Sequence, residues 1–259
     1  MEREEWEAQR TALAWQVELG ADEAMLDQPL NRFELAPQPQ LAARAKEAHI
    51  SAPTLAPSPA ERNPVEHARS LAQGAGSLSA LKASMESYEH CGLKAGARQL
   101  VFADGTPGAQ LMVIGEAPGR DEDRIGKPFV GRAGQLLDRM LAAIDRDRTR
   151  DVYITNIIPW RPPQNRDPSL EEIAMMLPFV ERHVALAQPT VLIAMGNIAC
   201  QALLGRKGVT RLRGTWTETW GLPVMPMFHP AYLLRQPAAK RHAWADLLEV
   251  RARLEGAQE

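Results

Sequence analysis

Short apolar runs of strand length alternate with stretches of helical spacing between residues 111 and 254. This alternation restricts the fold more than any other feature of the chain. Candidate strands are Leu100–Phe102, Leu111–Gly115, Val152–Asn156, Thr190–Met195 and Val224–Phe228; candidate helices are Gly134–Ile144, Leu170–Leu186, Ile198–Leu204 and Lys240–Leu254. Strands separated by helices imply a mainly parallel sheet covered on both faces. The expected fold class is therefore α/β, a three-layer α/β/α arrangement with a central, mainly parallel four-stranded sheet. Ser169-Leu170-Glu171-Glu172 is a capping-box signal for the start of the second helix.

The part of the chain before this series is different in kind. An N-terminal amphipathic helix is expected within residues 1–27, with Trp6, Leu13 and Val17 on one face. Residues 28–65 hold Pro29, Pro37, Pro39, Pro53, Pro57, Pro59 and Pro64 among Ala, Gln and Ser, which favours an extended, mobile linker. Helical spacing returns over 66–86 around a Gly74-Ala75-Gly76 break, and residues 66–259 are assigned to one α/β domain. Net charge is −2, but residues 1–80 carry 7 Lys and Arg against 12 Asp and Glu, whereas residues 196–259 carry 9 against 5. A nucleic-acid face belongs in the latter segment. The two cysteines, Cys91 and Cys200, cannot build a disulfide framework or by themselves close a four-ligand metal site. No apolar run approaches the ~20 residues of a membrane span, and the charges of the first five residues do not suit a signal peptide, so a cytoplasmic protein is expected.

The chemistry concentrates after the first long strand. Leu111-Met112-Val113-Ile114 runs into Gly115-Glu116-Ala117-Pro118-Gly119, then Glu122-Asp123, Gly126, Pro128-Phe129-Val130-Gly131 and Ala133-Gly134. A long loop leaving the carboxyl end of a strand is where open α/β sheets build their sites. Glu116 is a carboxylate just past the strand, and Phe129 is an aromatic in a polar loop. The turn from Gly131 to Gly134 opens a helix whose bare N–H groups suit a phosphate.

Together with Thr155-Asn156, Arg161-Pro162-Pro163-Gln164-Asn165-Arg166-Asp167-Pro168 and Phe228-His229-Pro230-Ala231-Tyr232-Leu233-Leu234-Arg235, this pattern resembles the uracil-DNA glycosylase superfamily, most closely its family-four branch. The resemblance runs from about Tyr88 to about Leu248. It implies a monofunctional enzyme that flips deoxyuridine out of DNA and hydrolyses its N-glycosidic bond to leave an abasic site in base excision repair. A monomer is expected, with uracil-containing DNA, single- or double-stranded, as its partner.

The resemblance also implies roles. The Asn156 amide pairs with the N3–H donor and O4 acceptor of uracil, which cytosine would mispair. Phe129 stacks on the base, with Gly115 and Ala117 beside it in the substrate site. His229, neutral, donates to O2 as negative charge builds on the leaving base. Glu116 orients or deprotonates water and faces the cationic sugar, with Glu122 and Asp123 more suited to bracing the loop. The best-known branch has an Asp where this chain has Ala117, and an aromatic that blocks the thymine methyl where this chain has Gly119, so thymine must be rejected elsewhere or incompletely. Leu233 and Leu234 either form an apolar wedge into the duplex or begin a buried helix, and Arg235, Arg161, Arg166, Arg132, Gly131 and Gly134 contact DNA.

Family-four enzymes hold a [4Fe–4S] cluster on four cysteines. Aligned motif by motif, Cys91 matches the second; the others fall on Tyr88, Trp160 and Met176. The expectation is no cluster and no other cofactor or metal, with those three bulky side chains filling the space. Two rivals remain: a binder of uracil-containing or damaged DNA with this fold and little turnover, and a phosphate-binding α/β hydrolase. The second lacks both a GxSxG elbow and a P-loop. Covalent product trapping is not expected, since Pro159 to Pro168 contains no His.

Overall fold

The computed structural model describes residues 63–256. The helix expected over 1–27 and all of the linker up to residue 62 lie outside them. Helix α1 (Pro64–Gly74) starts inside the stretch assigned to the linker, because Asn63 caps it by accepting from Val65 N–H and Pro64 occupies the first turn, where no amide is needed. Helix α2 (Leu78–Ser87) follows the break and is capped by Ser77. Helix α3 (Leu93–Gly96) then leads to β1 (Asp104–Gly105).

The body of the domain is β2 (Leu111–Gly115), α4 (Arg120–Ile125), α5 (Arg132–Ala142), β3 (Val152–Asn156), α6 (Leu170–Ala187), β4 (Val191–Met195), α7 (Asn197–Leu204), α8 (Val209–Leu212), β5 (Thr217–Thr219), β6 (Leu222–Met227), α9 (Pro230–Arg235) and α10 (Lys240–Gly256). One sheet of six strands has the order β1-β3-β2-β4-β6-β5. Its four inner strands, β3, β2, β4 and β6, run parallel in register. The edge strands β1 and β5 are antiparallel. The expected parallel four are therefore present, extended by two short edges of two and three residues that carry no readable period. Every residue of β2, β3 and β4 is buried, so helices cover both faces of the sheet.

The segment Leu100–Phe102 is not a strand. Val101 N–H donates to Pro159 O at 2.9 Å, and Phe102 O accepts from Thr155 Oγ1 at 2.7 Å. These isolated bonds tie it to the end of β3 and beyond without forming a ladder; pairing begins only at Asp104. The capping box of α6 is formed as read: Glu172 N–H donates to Ser169 Oγ, and Ser169 N–H donates to the Glu172 carboxylate. Among the described residues, no helix is long and apolar enough to cross a membrane.

Candidate functional site

Because β2, β3, β4 and β6 run parallel, their carboxyl ends lie along one rim. The residues at or just past those ends are Asn156, Glu116, Gly196 and Phe228-His229. Glu116 is pinned where it leaves β2: its carbonyl accepts from Ile158 N–H at 3.0 Å, while Gly115 O accepts from Ile157 N–H. A cavity of about 580 Å³ opens at this rim, lined by Glu116, Ala117, Phe129, Asn156, His229 and Arg235 together with residues of the 162–167 loop.

Each side chain is held in a definite chemical state. Asn156 is 5% exposed, and among the described residues no protein group pairs with its side-chain amide. A nearly buried amide with both ends open calls for a ligand. His229 caps α9: Ala231 N–H donates to its Nδ1 at 3.1 Å, which leaves the ring hydrogen on Nε2. Burial, then the positive charge of Arg235, lowers its pKa to about 4, so the ring is neutral at physiological pH. The rings of His229 and Phe129 stack with centroids 5.4 Å apart and planes 28° apart. Burial, then the negative charge of Asp167, raises Glu116 to about 7. A carboxyl group there exchanges its proton close to neutral pH, which suits a general base.

The loop between β2 and α5 is a worked piece of backbone. Glu122 accepts from Gly119 N–H at 3.1 Å, Val130 N–H at 3.0 Å and Gly131 N–H at 2.9 Å. Asp123, 3% exposed, accepts from Arg98 N–H. Both acids brace the loop, as their positions suggested. Phe129 has φ 53°, in the left-handed region that a bulky side chain adopts only under constraint.

Several assigned residues sit differently from expectation. Gly115 lies beneath the site: a Cβ there would fall 2.3 Å from Asn156 Oδ1 and 2.6 Å from the Phe129 ring. Its value is clearance for the amide and the aromatic. Gly134 is buried, and a Cβ there would meet Phe129 O at 1.7 Å, so this glycine lets α5 pass under the loop instead of meeting DNA. The Gly131 amide is taken by Glu122 and is not open to a phosphate. Leu233 is 1% exposed in the core, because α9 is a helix that turns this face inward; Leu234 is half-buried, and Tyr232, 36% exposed, is the apolar side chain turned outward at the cavity. Arg132 is exposed at the start of α5 but outside the cavity lining, and Arg161 donates to Asn165 Oδ1 at 2.8 Å. Arg166 is clamped on Glu172 by bonds of 2.6 and 2.9 Å.

The cluster that the resemblance implies does not fit its place. Tyr88, Cys91, Trp160 and Met176 are all at most 2% exposed in the hydrophobic core, and Tyr88 Oη donates to Pro64 O at 2.8 Å. Only one of these four is a thiol, and burial pushes it up, away from the thiolate that a cluster needs. Among the described residues, no group of three or more His, Cys, Asp or Glu side chains is placed to hold a metal ion.

A parallel sheet whose carboxyl rim gathers an open amide, an aromatic ring, a neutral imidazole and a near-neutral carboxylate around one cavity has the parts that a DNA glycosylase of the α/β class needs. Residues 102–248 match the model of the Uracil DNA glycosylase superfamily. The chain is 36% identical to the type-4 uracil-DNA glycosylase of Archaeoglobus fulgidus over 183 residues, 67% of this chain and 92% of the relative. It is 32% identical to that of Sulfurisphaera tokodaii over 185 residues, 68% and 84% of the two chains, and 39% identical to that of Thermotoga maritima over 149 residues, 56% and 77%. The chain belongs to the uracil DNA glycosylase superfamily.

Proposed function

We propose that the protein is a monofunctional uracil-DNA glycosylase that acts as a monomer on uracil-containing DNA in the cytoplasm. The observation that carries this reading is the convergence of Asn156, Phe129, His229 and Glu116 on one cavity, with the Asn156 amide lacking any protein partner among the described residues. An extruded uracil lies against Phe129, its N3–H and O4 paired with Asn156. As the N1–C1′ bond breaks, its electron pair moves onto the base, and the resulting anion is met at O2 by the Nε2–H of His229. Water then adds to C1′ and its proton passes to Glu116. Supporting this order, Glu116 is raised into the range where it accepts and returns a proton at neutral pH, whereas His229 is lowered and so donates without carrying charge.

On the DNA side, Tyr232 and Leu234 fill the place of the flipped base instead of Leu233. The exposed Arg235, Lys240 and Arg241 follow them in the chain and meet phosphates. No step uses an iron–sulfur cluster, since Tyr88, Trp160 and Met176 occupy its ligand positions as packed core; iron and sulfide in the purified protein would overturn this part.

The test is base release from oligonucleotides carrying U, T, C, hypoxanthine or xanthine, single- and double-stranded, with and without alkali. Release of uracil with strand breaks only after alkali is expected. Breaks without alkali would overturn the monofunctional assignment. Tight binding of the uracil strand without release would favour a binding protein of the same fold, and equal release of U and C would remove Asn156 as the reader.

A further inference from the structure

Arg148 belongs to none of the motifs that mark the site, and it lies in the turn between α5 and β3, yet its side chain ends at the site's aromatic platform. Its guanidinium donates to Phe129 O from Nη2 at 2.6 Å and to Pro128 O from Nη1 at 3.0 Å. The same group is anchored by Asp138 Oδ1 on Nε at 2.6 Å and by Asp104 Oδ2 on Nη1 at 3.2 Å. The side chain is only 13% exposed. On the other side of Phe129, the next two amides are held by Glu122. Gly134 leaves just enough room under the Phe129 carbonyl for α5 to pass. The residue between these restraints has the strained φ of 53°. Strain of this kind at a ligand site persists only where the surroundings over-determine it.

We infer that Arg148 is a positioning residue of the base pocket: it holds the Phe129 carbonyl so that the ring lies flat for an extruded pyrimidine, and it sets base affinity through that ring without touching the base. The fork geometry matters, since two carbonyls and two carboxylates are bridged by one planar group with fixed donor directions. Lysine carries the charge but cannot span four acceptors. The inference rests on the pocket reading given under Proposed function.

The experiment is a double-mutant cycle on product affinity. Inhibition by free uracil and affinity for an oligonucleotide with an abasic-site analogue are measured for the parent, R148M, R148K, F129A and the F129A/R148M pair, each with a thermal melt to establish the folded fraction. Stacking of a base on an aromatic is worth ~1–3 kcal/mol, so F129A and R148M should each weaken uracil by about tenfold or more. R148K should fall between parent and R148M, and abasic-analogue affinity should stay within about twofold. In the pair, R148M should add nothing to F129A. A purely structural Arg148 would lower the melting temperature and leave affinity per folded molecule unchanged, and fully additive losses would show that it acts elsewhere than through the ring; either result overturns the inference. Should R148M not fold, D138N, at a half-exposed anchor, carries the test: a smaller uracil-specific loss that vanishes in the F129A background supports the inference, and no loss opposes it. A parent that neither binds nor releases uracil would sink the pocket reading itself, whereas an active parent with a weakened F129A and an additive Arg148 would sink only this step.

Discussion

Glu116→Gln should separate what the carboxylate costs the fold from what it does in the site. Gln keeps the volume and shape of Glu and removes the charge. The Glu116 carboxyl is raised from its ordinary value of 4.5 to about 7, first by burial and then by the charge of Asp167. Folding therefore favours its protonated form. Between pH 4.5 and 7 the folded state binds more protons than the unfolded chain, so the Glu116 contribution to stability falls as pH rises through that window. Above the window the ionised group costs about 3 kcal/mol, at about 1.4 kcal/mol per tenfold change in protonation, and at pH 5 under about 1 kcal/mol. Among the described residues no cation or hydrogen-bond donor pairs with this carboxylate, so little is lost on neutralising it. For a domain of this size, about 2–4 °C accompanies each kcal/mol. Glu116→Gln should thus melt about 6–12 °C above the parent at pH 8 and within a few degrees of it at pH 5. The His229 contribution runs the other way, lost as pH falls from 6.5 toward 4, but it is common to both proteins and cancels in the difference. In the same variant, uracil release should drop by about 10²–10⁴. In the parent, kcat/KM should climb about tenfold per pH unit up to about 7 and then level. Equal melting differences at pH 5 and 8 would refute the burial account. A parent rate that is flat from pH 5 to 9 would refute the role as base.

Three further outcomes are expected. Replacing His229 by Ala should lower kcat by about 10²–10³, the usual loss on removing one donor to a developing anion, with uracil discrimination kept; single-turnover kinetics read this, and a changed U-to-C ratio would contradict the assignment. Gly134→Ala places a Cβ against Phe129 O, so it should cost about 1–3 kcal/mol or more in melting and also weaken uracil binding, whereas a silent variant would mean that the loop is loosely held. Tyr232→Ala should raise KM about tenfold on duplex substrate and much less on single strands, because only the duplex needs its stack refilled; a Leu234→Ala variant with the whole effect would move the wedge to that neighbouring side chain.

Much of the site was readable because Glu116, Asn156 and His229 each stand at or just past the carboxyl end of a strand. Parallel strands deliver their carboxyl-end residues to one rim, so the order of motifs along the chain already implied their convergence. The capping box at Ser169 and Glu172 was readable for a related reason: both partners lie within one helical turn. Leu233 and Leu234 look alike as text, whether as a wedge or as the start of a buried helix. Only the docking of α9 decides that the first faces the core and that Tyr232 faces out. Gly131 and Gly134 suit phosphate contacts by sequence because glycine before a helix has two uses. Only the approach of Phe129 O to Gly134, and the choice of Glu122 to accept the Gly131 amide, picked one.

The order of residues along the chain is enough to specify the parallel α/β sheet, the rim on which chemistry falls, and the residue types that stand there, because strand and helix periods and strand-end positions are local properties of the chain. Tertiary structure alone decided the protonation states of Glu116 and His229, the strained setting of Phe129, and the reach of Arg148 to a carbonyl 19 residues away. Those depend on desolvation and on contacts between segments distant in sequence, and neither leaves a period or a motif to be read.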